Sequence, residues 1–219
     1  MAITSIIFDA EGVVIKTHHI WHDSTTKFLA KRGVAYTHEV SEKLKPLIVG
    51  RSVAEGAQIM QEMFGFEGDP NEMGDERLWY AQERFAMDVE FIPGFLDFFH
   101  TVSQIYNTCI GSAMRDEFMQ VIKASMPLEE LFGKRIYTLG HGNGLGKPDP
   151  TIFLHCAKQL GSEPEECVVI EDAPNGIEAA HRAGMKCVGI TTAFRREQLS
   201  GADQVVDRFD EIDLSTLLF

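Results

Sequence analysis

The sequence predicts an α/β protein: a doubly wound parallel-sheet core carrying an inserted helical unit. Three observations predict it. Short apolar runs at 3–8, 107–111, 135–139, 167–171 and 186–191 read as buried strands, each followed by a helical pattern. Strands alternating with helices suggest βαβ units and hence a parallel sheet. Polar groups stand where several of these runs stop: Ile3 to Phe8 ends at Asp9, Thr108 to Gly111 at Ser112, and Cys167 to Ile170 at Glu171-Asp172. Between about Ile15 and Ile92 the apolar spacing is helical, with no convincing strand.

Taken in order, the first strand leads into Asp9 and the turn Glu11-Gly12. Helical periodicity then recurs over Trp21 to Lys31, Glu39 to Leu47, Val53 to Phe64 and Glu72 to Met87. Ser52-Val53-Ala54-Glu55 has the form of a capping box, in which the serine hydroxyl and the glutamate satisfy each other's free amides at a helix start. Pro93-Gly94 marks the return to the core. The division that follows is a discontinuous core of residues 1–14 and 93–219 and a helical cap of residues 15–92. The helix after Lys147 is bounded by Asp149 as its cap, Pro150 in its first turn and Gly161 at its stop. A further helix runs from Pro174 to Gly184. Right-handed crossovers between parallel strands then give a Rossmann-like, doubly wound core.

Composition narrows the function. At 219 residues the chain has room for a full α/β core and a smaller inserted unit. A formal net charge of −13 argues against nonspecific nucleic-acid binding, which requires clustered basic residues. A phosphorylated substrate stays compatible with it, because a bound divalent cation inverts the local field. The four cysteines, Cys109, Cys156, Cys167 and Cys187, form no CxxC pair and read as buried reduced thiols. No apolar run approaches the roughly 20 residues of a spanning helix, and no basic leader precedes the first strand. The expectation is a cytoplasmic protein without a membrane partner, a monomer or weak dimer.

In an open parallel sheet the carboxyl ends of the strands line one edge, where ligands bind. Asp9, Glu11, Glu171 and Asp172 at that edge, with Ser112 and Lys147, make a site for a metal ion and a phosphate. Two like charges ~5 Å apart at an effective dielectric of ~20 repel by roughly 3 kcal/mol. Such a cluster protonates in part or binds a cation. Oxygen ligands beside a phosphate are the preference of Mg²⁺. The stretch Gly140 to Lys147 fails the test for a phosphate loop, because position 141 is His and position 148 is Pro. His18, His19 and His22 lack a recognisable third and fourth partner for zinc.

The four pieces Asp9-Ala10-Glu11-Gly12-Val13, Ser112, Gly146-Lys147-Pro148-Asp149-Pro150 and Glu171-Asp172-Ala173-Pro174-Asn175-Gly176 occur in this order. In that order the chain resembles the haloacid-dehalogenase superfamily, in its β-phosphoglucomutase-like group of phosphatases and mutases. The resemblance implies that Asp9 is the nucleophile and Glu11 the acid/base, although the family usually has Asp at the second place. It implies that Ser112 and Lys147 hold the phosphoryl group. Asp9 and Asp172 would be Mg²⁺ ligands, Glu171 an accessory ligand, and the backbone carbonyl of Glu11 a third protein ligand. Gly50-Arg51-Ser52 is similar to a cap motif aimed at the substrate, so Arg51 and Ser52, with Ala113 and Arg115 on the core, are the implied substrate contacts. Trp21 stands where sugar-phosphate mutases of the group carry a histidine. The implied function is a Mg²⁺-dependent phosphatase acting on a small phosphorylated metabolite. The alternatives are a sugar-phosphate mutase and a binding protein impaired by Glu11.

Overall fold

The computed structural model describes residues 2–142 and 144–217. The chain forms β1 (Ser5–Phe8), β2 (Ile15–Lys16), α1 (His18–Ala30), α2 (His38–Ile48), α3 (Val53–Phe64), α4 (Pro70–Met87) and β3 (Glu90–Phe91). It continues with α5 (Phe95–Val102), β4 (Asn107–Gly111), α6 (Asp116–Ser125), α7 (Leu128–Phe132), β5 (Ile136–Tyr137), α8 (Thr151–Leu160), β6 (Cys167–Glu171), α9 (Pro174–Arg182), β7 (Lys186–Ile190) and β8 (Gln204–Val206).

Six strands form one sheet in the order β5-β4-β1-β6-β7-β8, and every pairing is parallel. Ile7 of β1 lies level with Cys109 of β4 and Val169 of β6. The chain first builds outward from β1 through β4 to β5, then returns to the other side of β1 for β6. That reversal places the switch point, and the crevice it opens, at the carboxyl ends of β1, β4 and β6.

Helices cover both faces of the sheet, so strand residues of either parity are buried. Ile6, Phe8, Ile110 and Ile170 pack on the side of Phe95, Phe99 and Phe132. Ile7, Cys109, Val169 and Cys187 pack on the other, against Phe153, Cys156 and Ala180. Phe8 meets Phe95 and Phe132 edge-on at 5.6 and 5.8 Å between ring centroids. All four cysteines are free and buried, Cys109, Cys167 and Cys187 in strands and Cys156 in α8.

The four helices after β2 carry a small core of their own, with Phe28, Leu29, Leu44, Met60 and Met73. Ser52 caps α3 with the reciprocal Glu55 contact, and Asp69 and Pro70 start α4. At Gly74 a Cβ would lie 3.1 Å from the backbone of Val53, so α3 and α4 approach there more closely than a side chain fits without a small shift.

Several expectations are corrected in detail. The interval read as strandless holds Ile15–Lys16 and Glu90–Phe91, an antiparallel ribbon at its two ends. Two residues a side show no period, and neither strand belongs to the parallel sheet. Strand β8 is absent from the reading for the same reason: it is three residues long and only half buried on two of them. Pro150 occupies the N-cap of α8 rather than its first turn, while Asp149 accepts a hydrogen bond from the Thr151 amide at 3.0 Å. Among the described residues no helix is long and apolar enough to cross a membrane.

Candidate active site

Asp9 follows the last residue of β1, and its amide donates to the Ile170 carbonyl of β6 at 3.0 Å. The first acid and the β6 pair are thereby fixed side by side. Gly12, with φ of +79°, turns the chain back; a Cβ there would lie 1.8 Å from Asp172 Oδ2 and 2.5 Å from His18 Nε2. Only glycine satisfies both the backbone angle and the space. Asp9, Glu171 and Asp172 each offer one oxygen within 4.8 Å of the others, and all three are buried.

Lys147 is 1 % exposed, and its ammonium reaches the carboxylates of both Asp9 and Glu171. Glu171 is fully engaged: Oε1 accepts from Lys147 at 2.5 Å, and Oε2 accepts from the amides of Asp172 and Ala173 at 2.9 and 3.0 Å. Gly176 in the first turn of α9 passes over it so closely that a Cβ would sit 1.9 Å from its carboxyl carbon. His18 Nε2 lies 2.9 Å from Asp172 Oδ2.

Burial pushes Asp9 well above the usual carboxylate range; Lys147 opposes this, while Glu171 and Asp172 add to it. Glu171 is raised by burial as well, with Lys147 in opposition. Burial alone would strip Lys147 of its proton, but Asp9 and Glu171 outweigh it and raise its pKa. Three crowded hard-oxygen donors fit a divalent cation of the Mg²⁺ kind. A cation there would reverse the upward shift of Asp9.

Glu11 departs from the cluster. Its side chain turns toward the helical unit, where one oxygen, Oε1, accepts from Thr17 Oγ1 at 3.0 Å and from Trp21 Nε1 at 2.5 Å. Burial raises its pKa, and the Trp21 and Thr17 bonds hold it down in part.

A cavity of about 380 Å³ opens above these groups. Asp9, Glu11, Glu171 and Asp172 line its floor, and Trp21, Lys45, Arg51 and Arg77 belong to the helical unit above. The end of α2 and the loop after it, residues 46–52, close one side by docking on the core. Lys147 donates its amide to the Gly50 carbonyl at 3.0 Å, and Asn175 Nδ2 donates to Pro46 and Val49 carbonyls at 3.1 and 2.8 Å. Gly146 donates to Glu55 at 3.0 Å.

The other expected residues are placed unevenly. Arg51 and Ala113 line the cavity. Ser52 lines it too, but its hydroxyl is spent on the capping box with Glu55. Ser112 is buried at the end of β4, and its Oγ accepts from the Met114 amide at 3.1 Å. Arg115 is not brought to the cavity: it is ion-paired with Asp75 and Glu117 on the surface. Its neighbours in sequence suggested the phosphate, but two nearby acids claim the guanidinium. Sequence reading missed Thr17, Lys45 and Arg77, and took Trp21 only for a missing histidine. A signal for Arg77 was present: it interrupts the apolar i, i+4 stripe Met73, Ala81, Phe85 of α4.

A family model for haloacid dehalogenase-like hydrolases matches residues 3–184. The chain is 27% identical over 209 residues to the validoxylamine A 7′-phosphate phosphatase of Streptomyces hygroscopicus subsp. limoneus, covering 94% of each. It is 26% identical to the fructose-1-phosphate phosphatase of Escherichia coli, over 84% of this chain and 95% of that one. Among solved structures it is similar to a family IA hydrolase from Entamoeba histolytica, with a TM-score of 0.84, 22% identity and coverage of 99% and 98%. It is also similar to a β-phosphoglucomutase from Clostridium difficile, with a TM-score of 0.74, 26% identity and coverage of 97% and 94%.

Proposed function

The chain belongs to the haloacid dehalogenase-like hydrolase family, and from that premise we propose that it is a Mg²⁺-dependent phosphatase of a small phosphomonoester. The observation that carries the reading is Lys147 bridging Asp9 and Glu171 beside Asp172, beneath a cavity roofed by the helical segment 15–92. That segment acts as the cap over the core formed by 1–14 and 93–219.

The substrate phosphoryl group sits against Asp9, with Lys147 neutralising charge on nucleophile and phosphate together. An Asp9 carboxylate oxygen attacks phosphorus, and the bond from phosphorus to the substrate oxygen breaks. Glu11 gives its proton to the departing oxygen. The acyl phosphate left on Asp9 is one of the recognised covalent intermediates. A water then attacks phosphorus and hands a proton to Glu11, the Asp9–phosphorus bond breaks, and inorganic phosphate leaves. Asp9, Asp172 and the Glu11 carbonyl would hold Mg²⁺, which would supply positive charge to keep Asp9 ionised and to screen the incoming dianion. Glu171 serves mainly by holding Lys147, since all its near partners are donors. Ser112 and the backbone at Ala113 complete the phosphate cradle from β4.

The curated relatives named above are both phosphatases of small phosphorylated compounds, which supports the reaction class. The test is a phosphate-release screen over phosphorylated metabolites, with and without Mg²⁺, that also follows isomerisation of β-glucose 1-phosphate. The expected result is Mg²⁺-dependent phosphate release that Asp9→Asn abolishes with the fold intact. Near-normal turnover by Asp9→Asn, or full activity in excess chelator, defeats the mechanism.

A further inference from the structure

The buried and half-buried cations of this acidic chain are, with three exceptions, ion-paired. Arg32, Arg84, Arg115, Lys123, Lys147 and Lys186 each meet a carboxylate. Among the described residues the exceptions are Lys45, Arg51 and Arg77, and all three line the same cavity. In a protein with 33 acidic residues against 20 basic ones, carboxylates are in excess. Three unpaired cations on one wall therefore point to a charge that arrives with the ligand.

Arg77 makes the strongest case. It is 4 % exposed. Its side chain makes one hydrogen bond, from Nη2 to Thr25 Oγ1 at 3.1 Å, and its Nε is buried without an acceptor. A guanidinium has five N–H donors in a rigid fork matched to carboxylate and phosphate. Leaving such donors buried and unmet costs stability. The Trp21 ring, 5.5 Å from the guanidinium carbon, gives only a cation–π contact. Glu11 attracts Arg77 only from a distance: it forms no ion pair with the guanidinium, and its Oε1 accepts from Thr17 and Trp21 instead. Burial lowers the Arg77 pKa to about 10, which still leaves it charged at neutral pH. Gly56 packs close by, where a Cβ would come within 3.3 Å of Arg77 Nη1. A purely structural role explains the Thr25 bond and the Trp21 contact, but it leaves the orphaned Nε unexplained.

We propose that the cavity selects phosphomonoesters carrying a second oxyanion, a carboxylate or another phosphate, which docks on Arg77 with Lys45 and Arg51 nearby. The inference rests on the phosphatase reading and names the class of substrate for that site. The transferred group meets Asp9 and Lys147 at the floor, and the second anion meets Arg77 on the cap side. Lys45 is held by the Ala193 carbonyl and Arg51 by the Leu47 carbonyl, so both are kept along the cavity without being neutralised.

The test is calorimetric binding to the Asp9→Asn protein in Mg²⁺, where turnover does not interfere. One arm compares 3-phosphoglycerate with glycerol 3-phosphate, and the other compares fructose 1,6-bisphosphate with fructose 1-phosphate. The expected result is at least tenfold tighter binding of the doubly anionic member in one arm, about 1.4 kcal/mol; which arm responds tells carboxylate from phosphate. Adding Arg77→Met should bring that ratio close to one. Should Arg77→Met not fold, Arg77→Lys, which keeps the charge without the fork, must reduce the ratio several-fold. Ratios near one in both arms, no measurable binding of either doubly anionic ligand, or a ratio untouched by the Arg77 substitutions overturns the proposal. A preserved ratio in a protein that releases no phosphate would instead defeat the phosphatase reading alone.

Discussion

At the scale of single residues, Glu11 is the departure that matters most. Its extra methylene carries the carboxylate to Thr17 and Trp21, and both donors converge on Oε1. That convergence argues for a site adapted to glutamate. Glu11→Gln removes the transferable proton and should lower kcat by about 10²- to 10⁴-fold with a smaller change in KM. Glu11→Asp restores the usual length but draws the carboxylate away from both donors, so kcat should fall rather than rise; a large gain in a steady-state assay would mean the native site is compromised. Trp21→Phe isolates the indole N–H, because the ring can still pack edge-on against Phe85, now 5.4 Å away. Turnover should drop about tenfold through misplacement of Glu11. Equal kcat in wild type and Trp21→Phe would remove Trp21 from any positioning role.

At the scale of elements, legibility followed length and burial. Strands β1, β4, β5, β6 and β7 were readable because both faces are covered and each holds a stretch of buried residues. The ribbon β2–β3 and strand β8 were not, since they are short and partly exposed, with no buried run to mark them. In the site, the acids and Lys147 could be placed because each closes a strand or flanks a marked turn. Arg77 and Lys45 could not, because their role depends on which helix face meets the cavity. Asp203 shows an interaction of the same hidden kind. It stands just before β8 and accepts from Lys186 Nζ at 2.7 Å, the Cys187 amide at 2.9 Å and His181 at 3.0 Å, if that ring nitrogen is protonated. Burial would raise its pKa, but Lys186, the Cys187 amide and His181 outweigh burial and hold it below the ordinary value. A depressed folded pKa stabilises the fold above the unfolded value of about 3.9, and that contribution is lost as pH falls through the folded one. Asp203→Asn should therefore cost about 1–2 kcal/mol at pH 7, and the gap to wild type should shrink toward pH 3. Urea unfolding at the two pH values checks it, and a gap independent of pH counts against the ion pair.

At the scale of the whole molecule, the cavity exists only because the helical unit is seated on the core. Phe85 packs on Phe118 and Asp75 pairs with Arg115 on one side of the seat, while backbone groups meet on the other. Gly146 leaves no space for a side chain, since a Cβ there would lie 2.2 Å from the Ser52 amide. Its own amide and that of Lys147 reach across to Glu55 and to the Gly50 carbonyl. The residue carrying the lysine that bridges Asp9 and Glu171 is thus tied by its amide to the loop that carries Arg51. A movement of that loop would therefore act on Lys147. Asn175 clamps the same loop from the start of α9 through two carbonyls, and it is 8 % exposed. Asn175→Ala gives up both bonds while leaving every acid and Lys147 in place. Segment 46–52 should then open more often, and hydrogen exchange at the Gly146 and Lys147 amides should quicken several-fold, because their acceptors move away with it. The amides of β1 should keep their protection, since the sheet is untouched. Substrate KM should rise more than kcat falls, because the open form lacks the upper wall of the cavity. Unchanged exchange at both amides would mean that Asn175 does not hold the loop, and the coupling between closure and Lys147 would have to run through Glu55 alone.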